Sequence, residues 1–195
     1  TAAGPAFEGA KIACGMRGAD GAIEHAHLVD GKLECKVIGG GRPAGICGSG
    51  LIDIIACLLD AGVIDESGKL LENPRVVQID ENTKKAYLLA DPLESGDGKP
   101  VYLSQKDIRE VQLAKGAIAA GIALLAEQMG ITLEQVEQVY IAGAFGNYMD
   151  PAGACRIGML PGVLKDRIIP VGNAAGEGAK LALLNKEELK RAERL

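Results

Sequence analysis

Two glycine-rich segments could form turns whose backbone comes close to a flat or an anionic ligand. Residues 143–147 (Gly-Ala-Phe-Gly-Asn) follow a short apolar run, and residues 48–50 (Gly-Ser-Gly) precede a run with helical periodicity. Glycine has no Cβ, so the backbone can turn there and come close to a ligand. Exposed N–H groups at a helix start also attract phosphate. Residues 143–147 therefore suggest a nucleotide site, whereas residues 48–50 by themselves favour close helix packing, with phosphate contact as the alternative.

The elements around the first turn indicate where a ligand would lie. Residues 139–142 are an apolar run long enough for a buried parallel strand, and a second such strand is predicted to begin at Ile168. Asp150 and Pro151 have the types expected at the N-cap and first turn of the intervening helix. Since ligands of open α/β sheets bind at the carboxyl ends of strands, residues 143–147 are predicted to lie at that edge.

The length is enough for one sizeable domain or for two small ones. The chain has 195 residues, of which 48% are hydrophobic and 3% aromatic, so aliphatic residues must build the core. The net charge is −5, and no cluster of Lys and Arg is long enough to follow a phosphate backbone, which argues against nucleic acid. No apolar run approaches the roughly 20 residues of a membrane span, and no secretory leader is evident, so we expect a cytoplasmic protein.

The cysteines and histidines lack the spacing of a metal site. The five cysteines are Cys14, Cys35, Cys47, Cys57 and Cys155. They form no CxxC pair and lie in apolar or glycine-rich sequence, so buried free thiols are expected. His25 and His27 alternate along a predicted strand, and an exposed strand face is favoured over a ligand pair. We expect no metal or iron–sulfur centre in this chain.

Turn signals divide the N-terminal half into short elements. Asp20-Gly21 and Asp30-Gly31 separate three predicted strands between residues 10 and 37, which would form an antiparallel meander. Ser49 has the type of an N-cap for a helix with an apolar stripe. Residues 63–103 are predicted to be a β-rich insertion, with strands at 75–79, 86–89 and 101–103.

A long helix is predicted to begin after Ser104 and to stop at Gly130. Ser104 and Asp107 have the pattern of a capping box, and apolar residues keep helical spacing over roughly six turns. Gln105, Lys106 and Arg109 lie in the first turns on other faces. They are interpreted as surface residues, with contact to the ribose or adenine of a nucleotide as the alternative.

The order of these elements resembles the second subdomain of the superfamily that contains acetate and sugar kinases, heat-shock chaperones and actin. Residues 143–147 are similar to its adenosine motif, and residues 48–50 to the helix start that contacts ADP phosphates in sugar kinases and dehydratase activators. The resemblance implies an α/β, ribonuclease-H-like (actin-like ATPase) subdomain over residues 1–195. Its mixed sheet would combine the meander with parallel strands at 139 and 168, and helices would cover its faces. The implied nucleotide-binding residues are Gly48, Ser49, Gly50, Gln105, Lys106, Gly143, Ala144, Phe145 and Asn147.

Within that superfamily, the chain resembles the ATP-dependent reductive activators of corrinoid proteins. The similar segments are residues 1–9, 45–53, 103–109, 142–147 and 171–175, in the order of the family. The resemblance implies a longer parent protein that returns a Co(II) corrinoid protein to Co(I). ATP would drive the electron transfer, and a [2Fe–2S] cluster in an N-terminal domain absent from this chain would supply the electron.

Segments missing from this chain limit its expected activity. The family's Asp-x-Gly-Thr phosphate loop and the acidic residues that bind Mg²⁺ in the intact parent are absent. Because phosphoryl transfer depends on positioning and charge neutralisation, the isolated chain is not expected to hydrolyse ATP well, and no catalytic residue is assigned. The expected partner is a corrinoid protein.

Two other functions stay open. One is a nucleotide-independent module, in which the glycine turns only pack helices and the chain docks a corrinoid protein or dimerises with a second copy. The other is half of a sugar or acid kinase, which the long matching segments disfavour. Nucleotide titration distinguishes the nucleotide-independent module from an ATPase subdomain, because only the subdomain should bind nucleotide.

Overall fold

The strands form three small sheets in the computed structural model, which describes residues 3–194. The first sheet has the order β2-β1-β3, with β1 (Ala22–Val29), β2 (Lys32–Val37) and β3 (Gly45–Ile46). The second has the order β4-β5-β6, with β4 (Val76–Val77), β5 (Ala86–Ala90) and β6 (Val101–Ser104). The third pairs β7 (Val139–Ile141) with β8 (Ile168–Pro170).

Helices connect and follow these strands. The α-helices are α1 (Gly48–Asp60), α2 (Gln105–Gln128), α3 (Ala144–Tyr148), α4 (Pro151–Arg156), α5 (Ala174–Leu184) and α6 (Lys186–Ala192). Short 3-10 helices span Ile38–Gly40, Leu133–Gln135 and Gly162–Arg167. Among the described residues, no helix has both the length and the apolar character to cross a membrane.

The hairpin of β1 and β2 is confirmed. Its turn residues Asp30 and Gly31 have φ angles of 48° and 73°, so both adopt the left-handed conformation that Asp-Gly hairpin turns need. Val29 pairs with Lys32 directly beside the turn.

The predicted first strand of the meander is wrong. Gly9 and Lys11 have φ angles of 80° and 86°, so the chain reverses there instead of extending. Within the described residues, this segment meets the sheet at one parallel bridge between Gly15 and Ile46, whose hydrogen bonds join Ile46 to Cys14 and Met16. The third strand of this sheet is β3, which runs parallel to β1.

The second sheet and the helix after it agree with the prediction. The strands β4, β5 and β6 are antiparallel and occupy the predicted segments. Ser104 caps α2, and Ser104 and Asp107 form the expected capping box. Gly130 has a φ of 65° and follows the end of α2. That residues 63–103 are an insertion into an ATPase subdomain stays a prediction.

The strands β7 and β8 are parallel, as predicted, with Val139 opposite Ile168. Within residues 3–194, they form a separate pair and do not join the first sheet. The α/β class, with antiparallel and parallel strands and helices around them, is confirmed, but the strands form three sheets where one mixed sheet was expected.

The core lies between α1 and the first sheet. Every residue of α1 from Gly48 to Ala56 is buried, and Ile52 and Ile54 are fully enclosed. Ile23 of β1 and Ile46 of β3 close the core from the sheet side. Aliphatic side chains dominate this core, as the composition predicted. By contrast, no residue of α5 is buried.

Candidate functional site

The two glycine segments lie side by side in the structure, next to a stacked pair of phenylalanine rings, of which one belongs to residues 143–147. Phe145 of α3 stacks on Phe7, with ring centroids 5.3 Å apart and an angle of 28° between the ring planes. A Cβ at Gly48 would lie 2.9 Å from the Phe145 ring and would overlap the carbonyl oxygen of Phe7. The absence of a side chain at residue 48 therefore allows the start of α1 to meet the turn after β7.

The predicted N-cap of α1 is wrong. Cys47 is the N-cap, and Ser49 lies inside the first turn, where its hydroxyl donates to the carbonyl oxygen of Glu24 at 2.8 Å. A Cβ at Gly50 would overlap the carbonyl oxygen of Ile23. Ser49 and Gly50 thus hold α1 tightly against β1. This contact supports the interpretation that residues 48–50 serve close helix packing.

The backbone N–H groups at the start of α1 have no acceptor among the described residues, although the residues that carry them are buried. Within residues 3–194, no acceptor is found for the N–H groups of Gly48, Ser49 and Gly50, and Cys47 provides no side-chain cap. These groups form the positive end of a 13-residue helix. A phosphate would therefore be held here by the backbone, since the Ser49 hydroxyl is already used.

The turn after β7 has a conformation that requires glycine. Gly143 has φ 95° and ψ 165°, and its N–H donates to the carbonyl oxygen of Gly172 at 2.7 Å. This bond places the turns after β7 and β8 next to each other, at the carboxyl ends of two parallel strands. A Cβ at Gly143 would meet no atom within 4 Å, so its outer side is open. Asn147 is exposed, and the side chain of Ala144 lies outside the described part.

Gln105 and Lys106 line a different cavity, at the start of α2. The Gln105 side chain accepts from the N–H of Leu70 at 2.8 Å and donates to the carbonyl oxygen of Gly68 at 2.7 Å, so both ends of its amide are engaged by the segment of residues 68–70. Lys106 is exposed. No residue from 48–50 or 143–147 lines this cavity. Contact of these two residues with a nucleotide stays a prediction without support from the geometry.

Sequence analysis missed a buried acidic group behind the α1 start. Asp53 is 6% exposed, and one of its carboxylate oxygens lies 2.9 Å from Nδ1 of His25. The other oxygen has no hydrogen-bond partner within residues 3–194. Burial raises the pKa of Asp53, and the hydrogen bond with His25 opposes that rise. The sequence did contain a signal, since Asp53 lies inside the otherwise apolar stripe of α1. A carboxylate buried at such a position needs a hydrogen-bonding or charged partner.

The same pair corrects the prediction for His25. This residue was expected on an exposed strand face, but its pairing with Asp53 joins β1 to α1. His27, two residues later on β1, is exposed and lies 3.8 Å from Glu34.

The raised pKa of Asp53 predicts a pH-dependent stability. A folded-state pKa above the unfolded value contributes stability that is complete below the unfolded pKa and is lost as the pH rises through the folded pKa. Asp53→Asn should remove this component, so the free energy of unfolding should fall less steeply over that window. Urea unfolding at a series of pH values measures the slope.

The exposed Asp166→Asn serves as the control for this prediction, since Asp166 makes no side-chain hydrogen bond with the described residues. Its slope should equal that of the unaltered chain. An unchanged slope in Asp53→Asn as well would show that Asp53 does not titrate with folding.

The cysteines are free thiols in the structure. Cys47 is buried and the other four are half-buried. Burial raises the pKa of Cys14 and Cys155, and raises the pKa of Cys35 and Cys57 to about 11. Among residues 3–194, no group of three or more His, Cys, Asp or Glu side chains is placed to hold a metal ion.

The parallel strands that end in adjacent glycine turns, with a helix start packed beside them, belong to an actin-like domain of the ASKHA class, as the comparison with known families shows. The family described as the C-terminal domain of RACo, the ASKHA domain, matches residues 1–195. The chain belongs to this family.

Relatives and a solved structure agree with this assignment. The chain is 43% identical over 196 residues to the corrinoid activation enzyme RamQ of Eubacterium limosum, covering 96% of this chain and 33% of that protein. It is 30% identical over 210 residues to the Co(II) methylated amine-specific corrinoid protein reductase of Methanosarcina barkeri, covering 96% and 35%. The structure of a reductive activator for corrinoid, iron-sulfur protein superposes with a TM-score of 0.90 and 38% identity, covering 98% of this chain and 31% of that one. The chain thus spans about a third of the length of these proteins.

Proposed function

We propose that this chain is the energy-coupling part of a cytoplasmic, ATP-dependent reductive activator that returns a Co(II) corrinoid protein to Co(I). The observation that carries the proposal is the TM-score of 0.90 over 98% of the chain to a reductive activator for corrinoid, iron-sulfur protein. The two relatives are named for corrinoid activation and corrinoid protein reduction. One electron would pass from a reduced [2Fe–2S] cluster, in a domain outside this chain, to Co(II).

The nucleotide would lie where the two glycine segments meet. The free N–H groups of Gly48, Ser49 and Gly50 would bind phosphate oxygens, and the open side of Gly143 would let the adenosine approach the backbone. Mg²⁺ and the rest of the phosphate contacts would come from the parent protein. Hydrolysis can change the shape of the activator only if its conformations bind ATP and ADP with different affinities.

The nucleotide site is tested by Gly143→Ala in the intact parent protein. With φ 95° and ψ 165°, an alanine would be strained by about 1–3 kcal/mol, and the turn would shift to relieve it. We expect the dissociation constant for ATP to rise about tenfold or more, measured by isothermal titration calorimetry, in a protein that still folds.

Gly178→Ala is the matched control. Gly178 lies in α5, and a Cβ there would meet no atom within 4 Å. Its affinity for ATP should equal that of the unaltered protein. If the Gly143 variant is folded and binds ATP equally well, the nucleotide does not contact this turn.

The electron route is tested by following Co(II) to Co(I) conversion in the absorption spectrum of the corrinoid protein. The full-length parent and a truncated protein without the cluster domain are each supplied with ATP and reductant. We expect conversion only with the full-length protein. Equal rates would show that the cluster is not needed, and the energy-coupling role of this chain would be rejected.

A nucleotide-independent docking module is the second candidate. The packing roles of Ser49 and Gly50 favour it, as do the exposed leucines of α5, Leu181, Leu183 and Leu184. Its occupant would be the corrinoid protein or a second copy of the chain. Failure of the intact parent to bind ATP would favour this module, and light scattering would reveal a dimer.

A further inference from the structure

Five cationic side chains line one open cavity of about 850 Å³ beside the start of α2. They are Lys11, Lys84, Lys85, Lys106 and Arg109, and we call this cavity the basic cleft. The only acidic residue among the described residues that line it is Asp107. This concentration of positive charge occurs on a chain whose net charge is −5.

Most of this charge is not neutralised locally. Within residues 3–194, the side chains of Lys84, Lys85 and Lys106 make no hydrogen bond or ion pair, and all three are exposed. Lys11 lies 3.7 Å from Glu110, and Arg109 donates to the carbonyl oxygen of Ser67 at 2.9 Å.

Asp107 adds one negative charge, but its carboxylate faces inward. It is 1% exposed and accepts three bonds, from the N–H of Ala13 and from the N–H and hydroxyl of Ser104. The basic cleft therefore keeps an excess of exposed positive charge.

The lining of the basic cleft does not suit a small ligand. None of the described residues that line it is aromatic, so a nucleotide base would have no ring to stack on. The fixed polar groups, the Gln105 amide and the Asp107 carboxylate, already make two and three internal hydrogen bonds, which leaves each of them little capacity to orient a ligand. Small-molecule sites need a few precisely placed polar groups to orient the ligand. The basic cleft instead offers charge on flexible lysine stems, which complements an acidic protein surface.

We propose that the basic cleft docks an acidic surface segment of the corrinoid protein. This inference rests on the proposed function, which supplies the partner, and it adds where and by which charges that partner binds. Exposed lysines would accelerate encounter and orient the complex before the electron moves. Binding through them should weaken as the salt concentration rises.

Charge reversal tests the proposal in the full-length parent protein with its corrinoid protein. The variant carries Lys84→Glu and Lys106→Glu, two exposed positions without internal partners, so the fold should be retained. We expect the affinity for the corrinoid protein to fall at least tenfold at low ionic strength, and the salt dependence of binding to flatten. Surface plasmon resonance at several salt concentrations measures both, and circular dichroism checks the fold.

The matched control carries Lys180→Glu and Lys190→Glu, which changes the net charge by the same amount on α5 and α6. These lysines are exposed, and among the described residues they pair only with Glu177 and Glu187 of their own helices. The control should bind with the affinity of the unaltered protein. Equal weakening in both variants would indicate a general charge effect and would overturn the docking site.

The remaining outcomes separate this inference from the proposed function. If the unaltered parent binds and activates the corrinoid protein and the cleft variant does so equally well, the docking site is rejected and the proposed function stands. If the cleft variant loses affinity for ATP but not for the corrinoid protein, the cleft serves the nucleotide and the proposal is also rejected. If the unaltered parent binds no corrinoid protein, both fall together.

Discussion

Replacing Gly50 by alanine is expected to destabilise the chain by about 3 kcal/mol or more, or to prevent folding. The added methyl group would overlap the carbonyl oxygen of Ile23 and lie 3.3 Å from the Ile23 side chain. Neither side can move freely: β1 is hydrogen-bonded to β2 and β3, and the first turns of α1 are buried. Urea unfolding followed by circular dichroism measures the loss.

The same substitution at Gly116 should have the opposite effect. Gly116 lies on the exposed side of α2, and a Cβ there would meet no atom within 4 Å. Alanine should therefore stabilise the chain by about 0.5–1 kcal/mol through its helix propensity. Similar unfolding midpoints for the two variants would contradict the close contact between α1 and β1.

The second large effect is expected for Asp107→Ala. Asp107 is almost completely buried and accepts from the N–H of Ala13 at 2.9 Å, and from the N–H and hydroxyl of Ser104 at 2.8 and 2.7 Å. Its removal would leave these donors without an acceptor and would detach residue 13 from α2. We expect the free energy of unfolding to fall by about 3–5 kcal/mol, measured by urea unfolding.

Asp65→Ala is a demanding control because Asp65 also accepts three hydrogen bonds. Its donors are the N–H and hydroxyl of Ser67 and the N–H of Lys69. Asp65 is half-buried and its three hydrogen bonds lie at the exposed surface, so water can replace the lost carboxylate, and the effect should be much smaller. A comparable loss in both variants would mean that burial does not set the importance of Asp107.

The parts of the fold that were predicted correctly have local causes. Ser104, Asp107 and Gly130 determine the two ends of α2 by capping and by a left-handed backbone, which neighbouring residues alone can specify. Asp30-Gly31 similarly fixes the hairpin of β1 and β2. The adjacency of the turns after β7 and β8 follows from parallel pairing of two strands that each end in glycine.

The incorrect predictions concern contacts between distant residues. The first of the three strands predicted between residues 10 and 37 is absent, and this segment is instead held by distant residues, with Ala13 bonded to Asp107 and Gly15 bridged to Ile46. Ser49 has the type of an N-cap, yet the carbonyl oxygen of Glu24 captures its hydroxyl. The pairing of His25 with Asp53 also joins residues 28 positions apart. Local patterns contain no information about such partners.

The rate at which the protonated thiols of Cys35 and Cys57 are alkylated reports how often the fold opens. Alkylating reagents attack the thiolate, and at pH 7 a thiol with a pKa of about 11 is ionised in roughly one molecule in ten thousand. Cys35 and Cys57 should therefore be labelled very slowly while the first sheet and α1 stay packed, and rapidly once they separate. Mass spectrometry of labelled peptides, with and without ATP, would then reveal whether the first sheet and α1 separate and whether ATP changes that rate.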